Sequence, residues 1–127
     1  MNFRALALIT LLQPVCPVFA EGAPFLSFEL GGQTLEMPPE AIASVTLRKD
    51  YSDLDALDVT LIAAWTQRMA DFTQDPQGQM MAIKVCGKLV AEPALQSQIL
   101  NGRFMLTGDY QTVHAARASL GNRTCLN

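Results

Sequence analysis

From Met81 to Leu120 the order of apolar runs and turn signals leaves few ways to fold. In Gln79–Val85, Met81, Ile83 and Val85 fall on one side of an extended segment. Cys86-Gly87 follows where a two-residue hairpin turn belongs, and Lys88–Ala91 is the return arm. Pro93 ends regular pairing, so Ala94–Ile99 reads as an irregular or edge segment. Gly102 turns the chain into Arg103–Thr107, where Phe104 and Leu106 share a face, and Gly108-Asp109 closes that strand. Val113–Leu120 is helical, with Val113, Ala116 and Leu120 as its inner stripe. Thr112 is the expected N-cap, and Gly121 or Asn122 the expected left-handed C-cap. A hairpin, a crossover, a strand and a helix in that order need a sheet with a helix laid against it.

The preceding residues supply the rest of such a sheet. Phe25, Leu26, Phe28 and Leu30 mark a strand over Pro24–Leu30, and Gly31-Gly32 turns it into Thr34–Met37. Pro38-Pro39 opens a single helical turn through Ala43. Ser44–Leu47 is a further strand, and polar Arg48–Asp55 loops out. Asp55–Leu61 alternates, with Leu57, Val59 and Leu61 on one side, the period of a half-buried strand. It runs directly into a helix on which Leu61, Trp65, Met69 and Phe72 share one face, so Trp65 is expected to be substantially buried between helix and sheet. Thr60 is the expected N-cap of that helix, and Asp75-Pro76-Gln77-Gly78 stops it.

The N-terminus has the form of an export signal. Arg4 precedes the apolar run Ala5–Leu12, and Val18-Phe19-Ala20 is a small-residue cleavage site. Residues 1–20 are expected to be removed after Ala20, Cys16 with them, leaving 21–127 as one domain in the periplasm or outside the cell. Without Arg4 the formal net charge goes from −3 to −4. An acidic domain lacks the clustered Lys and Arg that nucleic acid requires. After Ala20 no apolar run reaches the roughly 20 residues of a membrane span. Two cysteines remain, Cys86 and Cys125, and an even pair in a small exported domain reads as a disulfide. Cysteine is a poor choice at the first position of a tight hairpin turn, where φ must be positive. A bond from Cys86 to Cys125 is the simplest constraint that would keep it there.

Groups that could carry out catalysis do not converge. His114 is the only histidine and has no Ser or Cys motif near it. One His and two Cys do not make a structural zinc site. Gly31-Gly32 and Gly102 lack the spacing of a phosphate loop. Asp71/Asp75 and Asp53/Asp55 read as solvated surface acids, and Asn122-Arg123-Thr124 is a three-residue glycosylation match expected by chance. Met69, Met80, Met81 and Met105 are many for so small a chain; they read as core filling or as a plastic apolar groove. No catalytic, cofactor-binding or metal-binding residue is assigned, and no enzyme activity is expected.

Taken in order, these segments resemble the head subdomain of the first periplasmic domain of SecD/SecDF, the membrane protein that assists protein export. Gly87-Lys88 matches the family's turn glycine and following charge, and Leu106-Thr107-Gly108 its Ile-Ser/Thr-Gly. Glu92-Pro93 stands for Ala-Pro, Gln98-Ile99 for Pro-Ile, Asn101-Gly102 for Gly-Gly, and His114-Ala115 for Glu-Ala. The likeness is clearest over residues 55–122. It implies the head's role of contacting polypeptide that emerges into the periplasm, without the transmembrane coupling of SecD.

The expected fold is α+β, a mostly antiparallel sheet of about five strands with two helices on one face. The expected function is a non-catalytic, exported module that binds unfolded or extended polypeptide, or an envelope protein. Its expected surface is Ala91, Glu92, Pro93, Leu95 and Ile99, with an open edge at Ala94–Ile99 or Ser44–Leu47 accepting a strand. The alternative is a sensor of a small molecule or envelope component, using a pocket between helix and sheet. Thiol labelling of the freshly exported protein, denatured without reductant, is expected to modify neither Cys86 nor Cys125; two reactive thiols would contradict the pairing.

Overall fold

The computed structural model describes residues 23–126; the expected signal segment 1–20, its cleavage point and Cys16 lie outside the described residues. Seven strands and two helices follow in the order β1 (Leu26–Leu30), β2 (Gln33–Met37), β3 (Ile42–Lys49), β4 (Asp55–Leu61), α1 (Ala63–Phe72), β5 (Ala82–Val85), β6 (Lys88–Ala91), β7 (Arg103–Thr107) and α2 (Tyr110–Asn122). Every strand pair is antiparallel. The fold is α+β, as expected from the sequence.

The strands form two sheets where one of about five strands was expected: β2-β1-β5-β6 and β3-β4-β7. The division falls between β6 and β7, which run beside one another without forming a ladder. Its cause is local. The β5–β6 register slips by one residue between Ile83 and Lys84, leaving Val90 as the extra residue of a bulge. Pro93 then ends the strand, because proline cannot donate to a ladder. Val90 and Ala91 consequently both turn inward and pack half-buried against the core.

The inner faces follow from the period of two. In one sheet Leu26 pairs with Met37 and Val85, and Phe28 with Leu35 and Ile83. In the other, Leu57 lies between Leu47 and Leu106, and Val59 between Val45 and Phe104. The two faces meet where Phe28 sets its ring against Phe104 edge-to-face, at 5.3 Å between centroids. Helix α2 lies against β3 and β4 of one sheet and β5 and β6 of the other, whereas α1 lies against β2. Both helices were expected on one face of a single sheet; with two sheets, α2 closes the gap between them.

Several ends differ from the sequence reading. Strand β3 extends through Arg48 and Lys49, which were expected in a loop, because each meets an acid on β4: Arg48 pairs with Asp58 and Lys49 with Asp55. Thr60 is not a cap. It sits in β4 opposite Ser44 and Arg103, and α1 starts from Ile62 with no side-chain cap. Asp109, not Thr112, caps α2, accepting from the Thr112 N–H. The left-handed C-cap is Arg123, at φ 57°, beyond Gly121 and Asn122. A tertiary contact holds it, because the Arg123 guanidinium donates to the Ile42 carbonyl at 3.0 Å. Gly102 is required as glycine: its φ is +66°, and a Cβ there would run into Thr66.

Trp65 packs against the core but is not fully enclosed, with the Arg68 guanidinium 4.6 Å above its ring. Helix α1 lies at the margin of the core and sends only Met69 and Ala70 fully inside. In chemical denaturation Phe28→Ala is expected to cost about 3–5 kcal/mol. Trp65→Ala is expected to cost less, because Trp65 is only partly buried.

Candidate functional site

Helix α2 has a groove on each side. The larger, of about 490 Å³, lies between α2 and the β5–β6 hairpin. Val85, Leu89, Val90, Ala115, Ala116 and Leu126 give it an apolar floor and walls. Two of its polar side chains are already engaged: Thr112 Oγ1 donates to Asp109 at 2.9 Å, and Ser119 Oγ accepts from the Leu126 N–H at 3.3 Å. Lys88 and Gln111 remain as polar lining groups.

The disulfide builds one end of this groove. Cys86 takes φ 54° and Gly87 φ 83° at the hairpin tip, the positive pair that the tight turn demands. The structure bonds Cys86 to Cys125, which brings the C-terminal tail and Leu126 over the groove. The link spans 39 residues. In the loop-entropy model it is worth about 4 kcal/mol.

The smaller groove, of about 400 Å³, lies between α2 and β3 and is lined by Val45, His114, Arg117, Ala118, Gly121 and Asn122. At one end His114 Nε2 lies 2.8 Å from Asp55 Oδ2, with the Tyr110 ring stacked on the imidazole at 4.0 Å. The other Asp55 oxygen accepts from Lys49 Nζ at 2.8 Å. His114 therefore fastens helix to sheet, and no nucleophile accompanies it in these contacts. The hydrogen bond from Lys49, followed by that from His114, holds the Asp55 carboxyl below its ordinary range. The Thr112 backbone N–H, with its hydroxyl second, does the same for Asp109.

The surface expected from the sequence is divided. Ala91 ends β6 half-buried on the core, while Glu92 and Pro93 are exposed. Leu95 and Ile99 lie half-buried in a separate depression of about 400 Å³ with Gln98, Leu100 and Arg103. The Ala94–Ile99 segment is tied back at several points, and Ala94 bridges Met80. Met81 donates to the Pro93 carbonyl, Leu95 to that of Gln79, and Ile99 to the hydroxyl of fully buried Thr73. The expected edge at Ser44–Leu47 is different: β4 is the only strand partner of β3 among the described residues. The methionines do not gather in one groove, since Met69 and Met81 are buried while Met80 and Met105 are exposed on different elements. Sequence reasoning allowed a pocket between helix and sheet but named none of the residues that line the two grooves beside α2, because each is lined by segments far apart in the chain. The hairpin-tip cysteine was the one signal pointing to the larger.

Among the described residues no three His, Cys, Asp or Glu side chains are grouped to hold a metal ion, and no helix is long and apolar enough to cross a membrane.

The family model for the SecDF P1 head subdomain matches residues 32–121. No curated protein matches the chain in sequence. Among solved structures, a crystal structure of SecDF in a super-membrane-facing form aligns with a TM-score of 0.57 at 18% identity, over 67% of this chain and 12% of that one. A structure of the membrane component SecDF, which enhances protein export, aligns with a TM-score of 0.56 at 17% identity, over 67% of this chain and 39% of that one. The alignments thus take in only a minor part of either SecDF chain.

Both lowered carboxyls help to hold α2, and their ordinary pKa is near 3.8. Their contribution is complete above that value and is lost as pH falls through the lower folded values. Urea unfolding at about pH 5 and about pH 3 is expected to show a loss of stability in acid. The double variant Asp55→Asn, Asp109→Asn, less stable at about pH 5, is expected to lose less between the two.

Proposed function

The chain belongs to the SecDF P1 head subdomain family, and from that footing we propose that residues 21–127 act as an exported, non-catalytic module that binds segments of polypeptide in the cell envelope. The observation that carries this reading is the groove between α2 and the β5–β6 hairpin. Its lining sets apolar Val85, Leu89, Val90, Ala115 and Leu126 among polar groups, and it lies beside a sheet-edge strand. An extended chain offers side chains alternately to each side, so one set can enter the groove while the other stays in solvent. Affinity is expected to be weak, because an unfolded segment loses backbone entropy on docking. SecDF itself enhances protein export. A head-like domain that holds emerging chain would serve that end without chemistry of its own.

One observation favours a second reading, a sensor of a small molecule. A volume of about 490 Å³ falls in the range of ligand pockets. Against it, the hydroxyls of Thr112 and Ser119 already have partners within the protein. That leaves few free polar groups to orient a small ligand.

Chemical-shift mapping with a reduced, unfolded periplasmic protein is expected to move signals of Val85–Val90, Ala115–Ser119 and Leu126. Leu89→Asp is expected to weaken binding about tenfold, the equivalent of one apolar side chain left unburied. Saturable binding of a metabolite in the groove, with no shifts from any unfolded chain, would select the sensor reading.

A further inference from the structure

The smaller groove carries an inference independent of the larger one. Strand β3 is eight residues long and lies at the edge of its sheet. Exposed edges are ordinarily protected by charge, proline or a covering element. From Ile42 to Leu47 this one has no charge and no proline, and its irregularity is confined to the start, between Ile42 and Ser44. Its cations sit at the far end and face its own sheet, Arg48 on Asp58 and Lys49 on Asp55.

The hydrogen-bond pattern shows which backbone groups face outward. Thr46 is opposite Asp58 and Arg48 opposite Ala56, and the same register continues to Asp50, whose N–H donates to the Leu54 carbonyl. On the other side of β4, Leu61 donates to Gly102, so Leu61, Val59 and Leu57 bond toward β7. Antiparallel ladders alternate bonded and non-bonded pairs. Ser44, Thr46 and Arg48 therefore bond β4, and Val45 and Leu47 turn their N–H and C=O groups to the open edge.

Beside that edge, α2 passes β3 in the opposite chain direction between two contacts. His114 meets Asp55, the register partner of Lys49, at one end, and Arg123 reaches the Ile42 carbonyl at the other. Between those anchors the helix presents Ala118 and Gly121, and a Cβ added at Gly121 would meet nothing within 4 Å. An edge strand flanked by a helix, with a floor of small residues between them, is a geometry in which a peptide adds as a further strand. The charge is also specified. Arg117 lines the groove, is exposed, and has no ion pair among the described residues.

We propose that the free edge of β3 and the α2 face beside it form a docking site for an extended polypeptide strand carrying an acidic side chain opposite Arg117. The strand bonds the outward N–H and C=O groups of Val45 and Leu47. Its inward side chains lie over Val45, Ala118 and Gly121, and its carboxylate meets the Arg117 guanidinium.

The test uses a dye-labelled peptide of roughly ten residues, alternating Thr and Val with a central Glu, and its Lys counterpart, read by fluorescence anisotropy and shift mapping. The Glu peptide is expected to bind about tenfold more tightly than the Lys peptide, and Arg117→Glu to reverse that order. Val45→Pro removes an outward N–H without breaking a β4 bond and is expected to weaken both peptides about tenfold. Gly121→Leu, which builds into open space, is expected to block both and keeps the proposal testable if Val45→Pro fails to fold. Equal binding of the two peptides, unmoved by Arg117→Glu, would overturn the proposal. So would shifts confined to Leu89 and Leu126, which would leave the function proposed for the larger groove standing. Binding of neither peptide would overturn it too; if the chain then dimerises and Val45→Pro abolishes the dimer, the edge belongs to a second copy.

Discussion

The burial of one face of α2 is the interaction on which the rest of this structure depends. Val113, Ala116 and Leu120 are almost wholly inside, and they pack where two sheets come together without a ladder between them. A helix of ordinary amphipathicity would slide or fray in that position. This one is capped at its start and tied to the framework at three places. Asp109 caps its start, His114 reaches Asp55, Arg123 reaches Ile42, and Cys125 is bonded to Cys86. The contacts fall on three separate parts of the framework, so each restrains a motion that the others allow.

The same placement creates the surface features. Because α2 lies between β6 and β3, each of those edge strands faces it across a groove, and the two grooves differ in chemistry. The one beside β6 mixes apolar and polar lining and is bounded at one end by the disulfide and the C-terminal tail. The one beside β3 has a floor of small residues, an exposed arginine and a strand whose outward backbone groups lack a strand partner. Neither gathers an acid, a base and a nucleophile. Both suit the recognition of extended chain, which offers backbone hydrogen bonds and alternating side chains rather than a fixed shape.

Much of the fold was legible residue by residue. Asp55–Leu61, Lys88–Ala91 and Arg103–Thr107 stand where alternation and turn signals put them. The Cys86-Gly87 turn does too, because a two-residue hairpin admits few residue types and the misfit of cysteine pointed to its bond. Caps were less legible. Thr60 and Thr112 are good cap residues by type, but the strand ran on through Thr60, and Asp109 offered a carboxylate three residues ahead of Thr112. Trp65 lies on the apolar stripe, yet the stripe could not say that α1 would sit at the margin of the core.

The sequence by itself determined the local geometry: which segments extend, which coil, where the chain turns, and that a cysteine at a hairpin tip needed a partner. These follow from period, glycine, proline and hydrogen-bonding type, which act over a few residues. Only the tertiary structure decided that the strands form two sheets, that Ala94–Ile99 is tied to Gln79–Met81 and Thr73, and that β3 keeps an open edge beside α2. Those outcomes rest on one-residue changes of register at Val90 and near Ala43, and on contacts such as Arg123 to Ile42 across 81 positions. A slip of one residue reverses every side chain that follows it, and no local preference is strong enough to announce it.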